Sequence, residues 1–380
     1  MYVLTLKNRL NEFRAVQRLR ELGLLDEGIL PLVEVVKKDV AFDRLVDPST
    51  GEYVKVNKPY KSGKRKGQPR MCTVDDLETE RDVTLDNISD AFAGKKVLVD
   101  FFRCYMPKYK GADPSKCKLV LKMSNDLAFY EEAVKRLADY RDLIPVISVI
   151  DELSNLSPKS LEALILELRK TSSNKPVAIR ISTYEGYEHI LSDLLGPDDY
   201  LIYDINETPP ASRIEEFDEL ADLHIAAHSV LLCSPRKRDD GNKVYEDGCF
   251  IDNSHIRDFS EYGFEGVGDY AGLRDSLPPR PGAGATGRAL ALFYDGSSNT
   301  FKRYINPDVK KGQSGYDDVV KQILADRGEL ERRAGECAVL SEIADHAAAG
   351  NYGGWQTWIV YTVVRYVQQL YLAHGNSYNL

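Results

Sequence analysis

The stretch Pro176-Val-Ala-Ile-Arg-Ile-Ser182 decides how the chain is read. Its β-branched residues favour a strand, and strand side chains alternate between two faces. If Val177, Ile179 and Ile181 face covering helices, then Ala178, Arg180 and Ser182 face the other way, which places a guanidinium in an interior. A buried guanidinium needs an anionic partner or a wet cavity. Acids stand at the ends of several comparable runs, so the segment predicts where a site lies more sharply than what the site does.

Working outward, the same kind of short apolar run recurs at 2–7, 29–37, 96–102, 143–150, 200–206, 225–233 and 288–294. Helical spacing of apolar residues falls between the runs, at 10–22, 125–140, 158–170, 186–195 and 212–223. Continuous apolar strands separated by helices are the pattern of a parallel sheet covered on both sides. Eight repeats predict a (β/α)₈ TIM-like barrel with insertions and extra C-terminal helices. The alternative is a doubly wound open sheet, but no glycine-rich dinucleotide fingerprint follows the first strand. The expected organisation is a barrel over 1–305, with a basic insertion at 39–90 and a long excursion at 239–285, then a C-terminal helical extension over 306–380. The turn signal Asp295-Gly296 makes 300–305 a hairpin partner of the eighth run.

A length of 380 residues with 43% hydrophobic and 29% charged content is that of a globular chain with ample core material. A net charge of −9 argues against general coating of nucleic acid, although it leaves room for a local basic patch. The six cysteines show no C-x-x-C pair and the six histidines no zinc spacing, so reduced thiols and no zinc site are expected. Lys7 and Arg9 interrupt the apolar start, which a signal peptide would not tolerate. The apolar stretch 355–372 is broken by Arg365, Gln368 and Gln369. A cytoplasmic protein is expected, with no membrane span and with the C-terminal helices buried or facing a protein partner.

In a barrel the C-terminal strand ends form the mouth. The polar residues there would be Lys7, Glu34, Asp100, Asp151, Arg180, Asp204 and Asn206. Carboxylates beside a lysine and an arginine can serve as acid, base and phosphate clamp. Three acids could instead hold Mg²⁺, which favours oxygen ligands. The plain alternative is a buried salt-bridge layer that orders the barrel without chemistry. Arg236, Lys237 and Arg238, after the seventh run, stand where barrels often bind phosphate. The insertion carries Lys64, Arg65 and Lys66 among seven cations from Lys55 to Arg70 with no acid between them, and Tyr53 and Tyr60 for stacking. That composition suits a nucleotide or nucleic-acid partner; the plain alternative is a solvated, mobile loop.

At Leu6-Lys7 with Glu12, at Pro31-Leu-Val-Glu34, at Asp100, Arg180 and Asp204, and at Gly268-Asp-Tyr270, the chain resembles the Beta protein family of phages and bacteria. The order and spacing of these residues are similar over most of 1–305. Val267 stands where that family has phenylalanine, and the basic insertion is atypical. The resemblance implies that Lys7, Glu12, Glu34, Asp100, Arg180, Asp204, Asp269 and Tyr270 form one constellation. It supplies no reaction, and its phage and mobile-element setting implies a role in antiphage defence. Gly266 and Gly268 are expected to fold the late loop tightly enough to bring Asp269 and Tyr270 to the mouth.

Overall fold

Strands that are apolar on both faces must be covered on both sides, and here they close on themselves to achieve it. The computed structural model describes residues 1–25, 28–60, 65–172, 175–238, 253–280, 289–334 and 337–374. Eight parallel strands form a closed barrel in chain order: β1 (Tyr2–Lys7), β2 (Ile29–Glu34), β3 (Val97–Asp100), β4 (Leu143–Ser148), β5 (Ala178–Ile181), β6 (Tyr200–Asp204), β7 (His228–Leu232) and β8 (Gly266–Asp269). The protein is a (β/α)₈ barrel, not an open sheet. Val3, Leu32, Val146, Ala178, Ile202 and Leu232 fill its interior, and Arg180 lies on the same face as Ala178, as strand alternation requires.

The eighth strand is not the one expected at 288–294. Leu290–Asp295 (β9) instead pairs antiparallel with Thr300–Ile305 (β10) in a hairpin outside the barrel. The eighth place falls to Gly266-Val-Gly-Asp269, inside the supposed excursion. A four-residue strand with two glycines lacks the β-branched signal that marks the others. Its glycines serve close packing, not a tight loop. A Cβ on Gly268 would lie 2.8 Å from the Val3 carbonyl oxygen and 2.9 Å from Val3 Cβ. The side chains of β1 and β7 occupy the space the glycines leave open.

Several local choices are legible in the helices that cover the barrel. The helix Pro158–Thr171 starts with Pro at its first position, after Ser157, whose side chain accepts from the Ser160 amide. The helix expected over 125–140 is Leu127–Lys135, continued by a 3-10 turn at Arg136–Asp139, and a further helix not expected, Lys118–Asn125, precedes it. Asp126 sits between the two helices in extended conformation and caps Leu127–Lys135 by accepting from the Phe129 amide.

The C-terminal helix Trp355–His374 packs against the first helix, Leu10–Glu21, and against β9. Val363, Val364, Tyr366, Val367 and Leu370 are buried, each contributing about 1.5–3 kcal/mol of gross hydrophobic stabilisation. Most of this helix is therefore core of the fold, and Trp355, Tyr371 and Leu372 are its large exposed apolar residues. No helix among the described residues is long and apolar enough to cross a membrane.

Two compact units are present: Met1–Lys37 with Ala91–Leu380, and Lys38–Asp90. The second is the basic insertion. It is ordered more fully than its composition implies, with Val40–Ala41 pairing Arg81–Asp82 and a hairpin of Lys55–Pro59 with Pro69–Thr73.

Candidate functional site

Register alone places the charges. Lys7 of β1 stands beside Glu34 of β2, and Glu34 beside Asp100 of β3, while Ser148 of β4 stands beside Arg180 of β5. All belong to the C-terminal ends of their strands and point inward, so they form a polar layer above the apolar one.

Arg180 is the hub. Its Nε and one terminal nitrogen donate to Asp204 Oδ2 at 2.9 and 2.7 Å. The other terminal nitrogen donates to Glu34 Oε1 at 2.7 Å and to Asp100 Oδ2 at 2.9 Å. The Tyr270 hydroxyl accepts the remaining bond at 3.2 Å and donates to Glu34 Oε1 at 2.8 Å. All five N–H groups of the guanidinium are thus engaged. Burial opposes its charge, but Asp204, Tyr270, Glu34 and Asp100 outweigh burial and raise its pKa.

Lys7 forms the second node. Its ammonium donates to Glu34 and to Asp275 Oδ1, the latter at 2.9 Å, and lies 4.4 Å from the centre of the Phe102 ring. Burial opposes its charge, yet Asp275 and Glu34 raise its pKa. Asp275 also accepts from the Tyr109 hydroxyl at 2.5 Å and from Arg238 at 3.0 Å. Burial pushes the Asp275 carboxyl up, but Lys7 and Arg238, with the Tyr109 hydroxyl, hold it down at about 2.

Asp100 differs from the other acids. Its Oδ2 accepts from Arg180 and, at 2.7 Å, from the Ser148 hydroxyl, while its buried Oδ1 has no hydrogen-bond partner. Burial raises its pKa, with Glu34 adding to the rise and Arg180 opposing it. Asp100 lines a cleft with about 50 Å³ of space open to water-sized groups, together with Arg103, Ser148, Arg180, Asp204 and Arg238. Arg103 is buried, donates to the Ser148 carbonyl at 2.9 Å and to Asn155, lies over the Tyr130 ring at 4.4 Å, and leaves its Nε unpartnered.

The structure brings together Lys7, Glu34, Asp100, Arg180, Asp204 and Tyr270. It does not bring Asp269 there. Asp269 stands beside Leu4 on the outward face of β8, where it accepts from the Tyr2 hydroxyl at 2.7 Å, from the Ala271 amide at 2.7 Å and from the Tyr366 hydroxyl. It fastens the C-terminal helix to the barrel wall, and the one-residue step to Tyr270 turns the chain into the mouth. Glu12 accepts from the Lys7 amide at 2.5 Å and so secures the end of β1 from outside the cleft. Arg236 donates to the Gly272 carbonyl at 2.6 Å; its neighbour but one, Arg238, is the residue that lines the cleft. Asp151 accepts from the Ser182 hydroxyl at 2.9 Å. Arg65 and Lys66 lie in the exposed hairpin of the second unit, and Lys64 is outside the described residues.

Of the mouth acids, Glu34, Asp100 and Asp204 are ion-paired to Lys7 or Arg180, while Asp151 meets the Ser182 hydroxyl. Among the described residues no three carboxylate, imidazole or thiolate groups converge as a metal site. Sequence reasoning missed Asp275 and Tyr109, which lie in loops without periodicity. Arg103 carried a faint signal, as the charge three residues beyond Asp100. The chain matches no family model, no curated protein and no solved structure.

Proposed function

We propose that the barrel mouth binds a small phosphate-bearing ligand of the nucleotide class and hydrolyses a phosphoester in it, in the setting of antiphage defence. The observation that carries this reading is the buried, unpartnered Oδ1 of Asp100, a residue that lines the cleft together with Arg103, Arg180 and Arg238. Guanidinium groups match phosphate oxygens in charge and fork geometry. A carboxyl whose pKa is raised can hold a proton and donate it. Water adds to phosphorus, the ester P–O bond breaks, Asp100 gives its proton to the leaving oxygen, and the attacking water loses a proton to solvent. The resemblance to the Beta protein family supports the biological side of the reading.

A second reading rests on the saturation of Arg180. With all five of its N–H groups held by the protein, the layer also suits a rigid, non-catalytic barrel that recognises a phage component or a partner protein. Calorimetric titration with inorganic phosphate and with nucleoside mono- and triphosphates, with and without Mg²⁺, separates the two when joined to a phosphate-release assay. Under the first reading the wild type binds and turns over, and Asp100→Asn keeps binding while losing about 10²–10⁴-fold in rate. Wild-type turnover should also fall as pH rises past the raised pKa of Asp100, because the donor is then ionised. Binding without turnover favours the second reading, and no binding of any of these ligands removes the first.

A further inference from the structure

The hairpin of Lys55–Pro59 and Pro69–Thr73 carries a charge pattern that the barrel mouth does not explain. Lys55, Lys58, Arg65, Lys66 and Arg70 are exposed, no acid lies between Lys55 and Thr73, and the chain as a whole has a net charge of −9. The ion pairs Lys38–Glu80, Arg44–Asp75 and Arg81–Asp43 lie elsewhere in this unit. Among the described residues none of the five hairpin cations has a carboxylate partner.

The pairing register adds a repulsion. Lys58 stands directly opposite Arg70, and like charges facing each other across a ladder are destabilising. Asn57, Lys58, Pro59, Pro69, Arg70 and Met71 are all exposed, so neither face of this end of the hairpin is buried. A two-stranded hairpin with no covered face is marginal in water. A surface that keeps a destabilising charge pair on a marginal element fits a polyanion that neutralises it. Arg70 lies 5.1 Å from the centre of the Tyr60 ring, which holds its guanidinium in place from below. Strand side chains alternate between faces, so Lys58 and Arg70 share one face of the ladder while Lys55, three residues or about 10 Å along the strand, lies on the other; a nucleic-acid backbone that crosses the hairpin meets cations on both faces.

We infer that this hairpin is a sequence-independent binding surface for a nucleic-acid phosphodiester backbone. It involves other residues and another ligand than the barrel mouth, so the two proposals stand or fall separately. Binding of a short labelled oligonucleotide, as single strand and as duplex, is measured by fluorescence anisotropy with the full chain. If the five cations each neutralise one phosphate, the slope of log affinity against log salt is about −3.5 for the single strand and about −4.5 for the duplex. Affinity for the single strand then falls by roughly 100-fold between about 50 and 200 mM salt.

Arg65→Gln with Lys66→Gln removes two cations from the turn and should flatten the single-strand slope by about 1.4. Lys58→Gln with Arg70→Gln should do the same from the ladder, without lowering the melting temperature, because it also removes a repulsive pair. Three results each overturn the inference: no binding of either oligonucleotide at about 50 mM salt, an unchanged slope in both double variants, or tighter binding to phosphatidylserine vesicles than to either oligonucleotide.

Discussion

Replacing Asp275 by asparagine keeps the shape of the side chain and removes the charge that joins Lys7 to Arg238. In the folded chain the carboxyl ionises at about 2, against an ordinary value of 3.8, although burial alone would raise it. That difference is worth about 2 kcal/mol, at about 1.4 kcal/mol per tenfold in acidity. Removing one partner of a buried pair costs about 3–5 kcal/mol where the survivor is left alone. Lys7 keeps Glu34 and Arg238 keeps Glu207, its Nε 3.2 Å from that carboxylate. The expected loss is therefore nearer the lower figure, about 2–3 kcal/mol at neutral pH. The pH dependence follows from the direction of the displacement. A carboxyl with a lowered folded pKa stabilises the fold fully above its unfolded value, about 4, and loses that contribution as pH falls through the folded value. Urea unfolding of wild type and Asp275→Asn should thus differ by a constant amount above about pH 5 and converge below about pH 4. Equal stability at neutral pH, or a gap that widens on acidification, would refute the account of Asp275 as an ionised bridge.

Two further substitutions test the packing that aims the site. Tyr366→Phe removes a donor to buried Asp269 and should cost about 1–3 kcal/mol in urea unfolding, while ligand binding at the mouth is unchanged because Asp269 faces the outer layer. Gly268→Ala forces a methyl group to within 2.8 Å of the Val3 carbonyl. It should destabilise by about 1–3 kcal/mol, and a neutral effect in the same assay would place β8 farther from β1 than the pairing of Val3 with Gly268 requires.

How far the site was legible depends on how each residue is held. Arg180 and Asp204 could be assigned to one cavity because both lie in regular strands, where a two-residue period sets the face. Their contact at 2.7 and 2.9 Å follows from the adjacency of β5 and β6. The same logic failed at Asp269. With β8 hidden in a glycine-containing segment, its parity could not be counted, and a one-residue error exchanges inside for outside. Tyr270 was right for a reason the sequence did not display, since it is the first residue past the strand. Arg236 and Arg238 illustrate the limit in a loop, where neither period nor propensity says which of two nearby arginines turns to the cleft.

Local sequence was sufficient for the alternation of apolar strands and helices, the interior face of β5, the hairpin at Asp295-Gly296 and the cap at Ser157, because each depends on neighbours within a few residues. Only the tertiary structure decided which strand closed the barrel and which acid met which cation. Asp275 reaches Lys7 across 268 positions of sequence and Tyr109 across 166. Such pairings are set by the path of a loop over a closed barrel, and Coulomb attraction carries no information about sequence separation: any of the nearby acids would satisfy Lys7, and the fold selects Glu34 and Asp275.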